Sequence, residues 1–206
     1  EYLDKLIAFR EKQLIKVVTG IRRCGKSTLL ELYQEYLMEQ GIAEEQIISI
    51  NLEDFDFYEL RKPEKLHVYV KDEIQQCENF PMVVDSLYLK KNVDIYITGS
   101  NAYMLSSEIA TLLSGRYVEI KMLPLSFKEY VSATGDNREL MRKYTAYLEN
   151  SSFPYALELA GHPRELRDYL EGIYNTIVVK DIANRHKISD TMMLESVARF
   201  IFDNIG

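Results

Sequence analysis

In the first part of the chain, short and nearly continuous apolar runs alternate with stretches whose apolar residues recur every three or four positions. After Leu123 only the second pattern remains. Leu14, Ile15, Val17 and Val18 lead into Gly20, and similar runs follow at Gln46 to Leu52, Val93 to Ser100 and Arg116 to Met122. Each reads as a strand buried on both faces. Between them, Lys26 to about Gln40 carries Leu29, Leu30, Tyr33 and Leu37 on one helical face, with Gly41 as a stop signal. Phe80 to Lys90 and Tyr103 to Leu113 repeat that spacing. Strands alternating with helices predict a parallel α/β sheet.

The later part predicts helices alone. Ser126 and Glu129 have capping-box spacing, Leu140, Tyr144, Tyr147 and Leu148 share one face, and Pro163 opens a longer helix through Ile177. Leu194, Val197 and Ile201 mark the last. The pattern therefore divides the chain into an α/β core over 1–123 and a smaller all-helical domain over 124–206.

Composition narrows this only a little. With 206 residues and 47% hydrophobic content, a packed core is affordable in length and composition. No uncharged apolar run reaches the roughly 18 residues a membrane span needs, and no leader is visible, so a cytoplasmic protein is expected. Cys24 and Cys77 lack metal-ligand spacing and suit free thiols in a reducing compartment. A net charge of -7 argues against a broad grip on nucleic acid while leaving a local basic patch open. The chain begins at Glu1 without a methionine and stops just after a helical pattern, which suggests a fragment with more chain to follow.

The strongest chemical signal is "GIRRCGKS" from Gly20 to Ser27. It fits G-x-x-x-x-G-K-[ST] in full and sits between a predicted strand and a predicted helix, the context a phosphate-binding loop requires. Gly20 and Gly25 would let the backbone turn over phosphates where a Cβ would collide, and the loop N–H groups and helix N-terminus would attract the anion. Lys26 would reach the β- and γ-phosphate oxygens, Ser27 would ligate Mg²⁺, and Thr28 would add a phosphate contact. Arg22, Arg23 and Cys24 are expected to be loop side chains without a fixed role. The bland alternative is a glycine-rich turn with no ligand.

Asp72 and Glu73 suit the acidic partner of such a loop, one for the Mg²⁺ shell and the other as the base that polarises water. An Asp-Glu pair is also common at any solvated helix end. Here Lys71 stands directly ahead of Asp72 where a buried strand should run, and "PEKLHVYVK" reads better as a helix opened by Pro63. A strand-bearing stretch between Lys71 and Asp72 is therefore expected to be missing from the sequence.

"TGIRRCGKSTLL", "DEIQ" at Asp72 to Gln75, "YITGSNAYML" from Tyr96, "LLSGRYVEIKMLPLSFKEY" from Leu112 and "VVKDIANR" from Val178 together resemble the predicted AAA+-superfamily P-loop ATPases of bacteria and archaea that carry a C-terminal domain of unknown function. The resemblance implies a P-loop NTPase fold of the additional-strand type with helices on both faces of the sheet. It also implies winged-helix-like and nuclease-like regions beyond the helical domain. Members usually have four apolar residues before "DE", which agrees with a lost segment, and "GGFP" where this chain has Ser151, Ser152, Phe153 and Pro154. By position, Ser100 and Asn101 match the polar residues near the γ-phosphate, or else cap the next helix. Arg116 matches the motif arginine, a γ-phosphate sensor in cis or a finger in trans, or else forms a surface salt bridge.

Together these residues imply an ATP-binding, Mg²⁺-dependent ATPase that couples nucleotide state to its helical and C-terminal parts. The alternative is a nucleotide-dependent switch or binding module with little hydrolysis. A small-molecule P-loop kinase is disfavoured by "DEIQ" and "TGSN". ATP and ADP are the expected ligands; DNA or a protein partner at the C-terminal region, and oligomerisation, stay open.

Overall fold

β1 (Ile15–Gly20) is the strand on which the first half of the protein is built, and all of its residues are buried. The computed structural model describes residues 1–51, 54–61, 80–90, 92–100, 113, 115–135, 139–183 and 187–204. β1 lies between two parallel neighbours, β2 (Tyr96–Ser100) and β3 (Tyr117–Lys121), in the order β2-β1-β3. The register runs from Lys16 opposite Tyr96 to Gly20 opposite Ser100 on one side, and from Ile15 opposite Tyr117 to Thr19 opposite Lys121 on the other. A strand paired on both edges and covered on both faces is mostly apolar, which explains the run of Ile15, Val17 and Val18 that marks it in the sequence.

Two clusters cover the two faces. Leu29, Leu30 and Tyr33 of α2 (Lys26–Glu39), with Leu6 of α1 (Tyr2–Ala8), pack on Val18, Tyr96 and Ile120. Val83, Val84 and Leu87 of α3 (Phe80–Tyr88) pack with Ile15, Val17 and Ile97 on the opposite face. α2 stops as its sequence predicts: Gly41 takes a φ of +87° and its N–H reaches the Met38 carbonyl at 2.9 Å.

The strand expected at Gln46 to Leu52 differs. Glu44–Gln46 forms a 3-10 turn and residues 47–51 follow without a ladder among the described residues. Ile50 is nonetheless buried in the β1 core. Ile47 and Ile48 line a cavity of about 430 Å³ together with Leu37, Leu87, Asp94 and Tyr96, so open space separates this stretch from the amino end of β2. A strand exists only through its ladder partner, and none stands beside it among the described residues. The expected helix at Tyr103 to Leu113 and the reading of 63–73, including the proposed junction at Lys71, lie outside the described residues apart from Leu113.

Contacts divide the chain into two units, Glu1–Leu123 and Pro124–Gly206. In the second, α4 (Phe127–Ala133) starts at a complete capping box: the Glu129 N–H donates to Ser126 Oγ at 3.3 Å, and the Ser126 N–H donates to Glu129 Oε2 at 2.8 Å. Phe127 and Tyr130 meet Tyr144 and Tyr147 of α5 (Leu140–Asn150), with ring centroids 5.2 to 5.6 Å apart. α6 begins at Pro163 (Pro163–Asn175) and continues as a π-helical stretch, Thr176–Ala183; α7 spans Thr191–Asn204.

Candidate phosphate-binding site

In a parallel sheet every strand ends on the same side, so the loop after β1 and the residue closing β2 are brought together. Gly20 pairs with Ser100, which places the Ser100 backbone beside the first residue of the loop. Asn101, Asp72 and Glu73 lie outside the described residues.

The loop is built from special backbone positions. Arg23 has a φ of +63° and Gly25 one of +98°, and Gly25 is the N-cap of α2. Gly25 therefore supplies a left-handed turn that most residues resist. Gly20 has a different reason to be glycine. A Cβ there would lie 2.5 Å from the Met122 carbonyl oxygen and 2.7 Å from Cys24 Sγ. Its bareness serves packing against the end of β3, whereas the sequence alone suggested clearance for phosphates.

Lys26 follows at the first position of α2 and is buried. Its Nζ donates to the carbonyls of Gly20 at 3.1 Å and Ile21 at 3.0 Å, so the ammonium is folded into the loop. Its partners among the described residues are neutral carbonyls. A phosphate oxygen arriving there gains a charge-assisted bond without first displacing a carboxylate. Ser27 and Thr28 are exposed in the first turn of α2, where their side chains and the helix N-terminus face solvent. Ser27 Oγ has the chemistry of a Mg²⁺ ligand, being a hydroxyl next to the phosphate loop. Among the described residues no group of three or more His, Cys, Asp or Glu side chains is placed to hold a metal ion.

Cys24, assigned no role from sequence, is fully buried. Its Sγ donates to the Met122 carbonyl at 3.9 Å, and burial pushes the thiol up from its ordinary range, so it stays protonated near neutrality.

Arg116 is not brought to this site. It immediately precedes β3, its carbonyl accepts from the Ile15 N–H, and it therefore sits where β1 begins. The length of β1, about 16 Å at 3.3 Å per residue, separates it from the loop. There its guanidinium pairs with Asp85 of α3 and lies 5.7 Å from the Tyr88 ring centroid. Of the alternatives left open for Arg116, the salt bridge is the one seen among the described residues, and a residue before a parallel strand lies at the opposite end from a residue after one.

Sequence reading also missed Lys16. It is fully buried in β1 and donates from Nζ to the Lys12 carbonyl at 2.7 Å and to the Asp94 carboxylate. Asp94 in turn accepts from the Tyr96 hydroxyl at 2.9 Å, and with that proton committed, the Tyr33 hydroxyl donates to Tyr96 at 2.6 Å. Burial, then the Tyr33 contact and Asp94, hold the Tyr96 phenol far above its ordinary range. A lysine inside an otherwise apolar strand, with an aspartate two residues before its partner strand, was the available signal.

Residues 12–131 match the AAA domain family, a stretch that contains all three described strands and the Gly20–Ser27 loop. An uncharacterized protein of Haemophilus influenzae is 43% identical over 223 residues, covering 100% of this chain and 55% of that protein. One of Methanocaldococcus jannaschii is 30% identical over 216 residues, covering 93% of this chain and 46% of the relative. The chain thus spans about half the length of these curated relatives. The Haemophilus match runs over 223 positions against 206 residues here, so the relative has residues inside the matched region without a counterpart in this chain. No solved structure matches. No helix among the described residues is long and apolar enough to cross a membrane. A three-stranded parallel sheet among the described residues with helices on both faces, a loop of phosphate-loop spacing after its central strand and the match over 12–131 agree: the chain belongs to the AAA domain family of ATPases.

Proposed function

We propose that the protein binds ATP in the Gly20–Ser27 loop and hydrolyses it in a Mg²⁺-dependent reaction, and that nucleotide state is passed to the helical unit and to further C-terminal parts. The observation that carries this reading is Lys26, buried within the loop and held, among the described residues, by neutral carbonyls, at the N-terminus of α2. On binding, Lys26 exchanges the Gly20 and Ile21 carbonyls for β- and γ-phosphate oxygens, and the amides from Cys24 to Ser27 hold the remaining charge. Ser27, and Asp72 through a water shell, would hold Mg²⁺, which would supply neutralisation of the phosphate charge. Glu73 takes the proton of the attacking water, with Ser100 and Asn101 placing that water.

The surplus positions in the Haemophilus alignment suit the expectation of a stretch missing from this chain beside Lys71. Arg116, lying one strand length from its own loop, acts on the γ-phosphate of a neighbouring copy after leaving Asp85. Oligomerisation follows from that assignment.

Phosphate release tests the reaction. In the full-length protein Glu73→Gln is expected to keep ATP affinity within about threefold while turnover falls on the order of a hundredfold, the usual reach of a positioned base. Unchanged turnover would remove Glu73 from the role of base.

A further inference from the structure

The phosphate loop does not stand free at the end of β1; it leans on the end of β3. Met122, the first residue past β3, is bonded to the loop region through both of its backbone groups. Its N–H donates to the Thr19 carbonyl at 2.7 Å, and its carbonyl accepts from Cys24 Sγ at 3.9 Å. Gly20 closes the arrangement, since a Cβ there would strike both the Met122 oxygen and Cys24 Sγ. Thr19 itself is buried and donates to Glu119 of β3 at 2.6 Å, so consecutive residues entering the loop are tied to the same strand. Leu123, the next residue, closes the first compact unit.

We propose that Met122, Gly20 and Cys24 form a latch that holds the phosphate loop in its binding shape, which makes Cys24 a positioning residue for nucleotide. The inference rests on the nucleotide reading above and goes beyond it by giving a role to a residue that touches no phosphate. Physically, Cys24 fills the space under Gly20, and its thiol proton fixes the distance to the β3 backbone. Arg23 and Gly25, on either side, are then held at positive φ, and Gly25 aims the first amides of α2. Without the sulfur the loop gains alternative shapes, and each binding event must select the competent one. Protonation suits the role: a thiolate would repel the carbonyl it now bonds, and burial opposes its formation.

The test uses the full-length protein, with ATP and magnesium as the probe in calorimetry and thermal melts beside it. Cys24→Ala is expected to weaken ATP binding about fivefold, the scale of one modest hydrogen bond with its packing. Val17→Ala, in the same strand region but within the core, is expected to lower Tm at least as much while leaving affinity unchanged, which separates loop positioning from general loosening. Gly20→Ala is expected to weaken binding further, and the Gly20→Ala/Cys24→Ala double variant to bind within about twofold of Gly20→Ala alone, because a broken latch cannot be broken twice. Parent-like affinity in Cys24→Ala, or losses that simply multiply in the double variant, would overturn the latch while leaving the nucleotide site standing. A parent protein that binds no ATP would overturn both.

Discussion

The two ends of the same parallel sheet carry similar residue types and treat their cations in opposite ways. At the amino end, Lys16 is paired with Asp94, and Arg116 with Asp85. At the carboxyl end, Lys26 is buried, as Lys16 is, but is held by the carbonyls of Gly20 and Ile21. A cation answered by a carboxylate must give up that partner before it can serve another anion, whereas one answered by carbonyl dipoles keeps most of its attraction for an anion. On the proposed function, the same fold thereby makes one end a brace and the other a receptor.

The largest expected effect tests whether Arg116 at the braced end serves a neighbouring loop. Arg116→Ala in the full-length protein should lower ATP turnover on the order of a thousandfold, as removal of an arginine finger does, with little change in affinity. Mixing it with Lys26→Ala should restore part of the activity, one partner supplying the arginine and the other an intact loop. Failure of the mixture to recover any turnover would place Arg116 in a structural role alone.

Next comes the brace itself. Asp94→Ala leaves Lys16 buried without its partner and should destabilise the protein by about 3 kcal/mol, measured by denaturant unfolding. Lys16→Met in that background should recover much of the loss, and ATP affinity should stay near the parent value in both. An Asp94→Ala variant of parent stability would show that the pair contributes nothing at this end.

The smallest effect is a pH slope. Tyr96 has a folded-state pKa raised by burial, Tyr33 and Asp94, so its contribution is fully present below the unfolded value near 10. Above about pH 10 the unfolded chain releases the phenolic proton first, and stability should fall with a slope approaching about 1.4 kcal/mol per pH unit. Tyr96→Phe should flatten that part of the curve; an identical slope would assign it to other groups.

Much of this contrast was legible in the sequence, and the rest was not for identifiable reasons. The loop from Gly20 to Ser27, the helix that follows and the start of α4 at Ser126 were all readable, because their signals are local: fixed spacing, a cap, a stop. The strand at Gln46 to Leu52 has the right apolar pattern but depends on a partner that no local pattern supplies. The choice among the alternatives for Arg116 was not legible because a motif match ignores direction; in a parallel sheet, preceding β3 and following β2 are opposite places. Lys16 and Cys24 were passed over because each sits in a segment whose main pattern was already explained. Only the contacts with Asp94 and Met122, 78 and 98 residues away, reveal their roles.

The claim that the carboxyl end is a receptor is tested most directly by titrating the full-length protein and its Lys26→Ala variant with ATP in the presence of magnesium. The account predicts saturable binding by the parent and a loss of about a hundredfold in the variant, the scale of a charge-assisted phosphate contact, with Tm essentially unchanged. Equal affinity in the two proteins would contradict it.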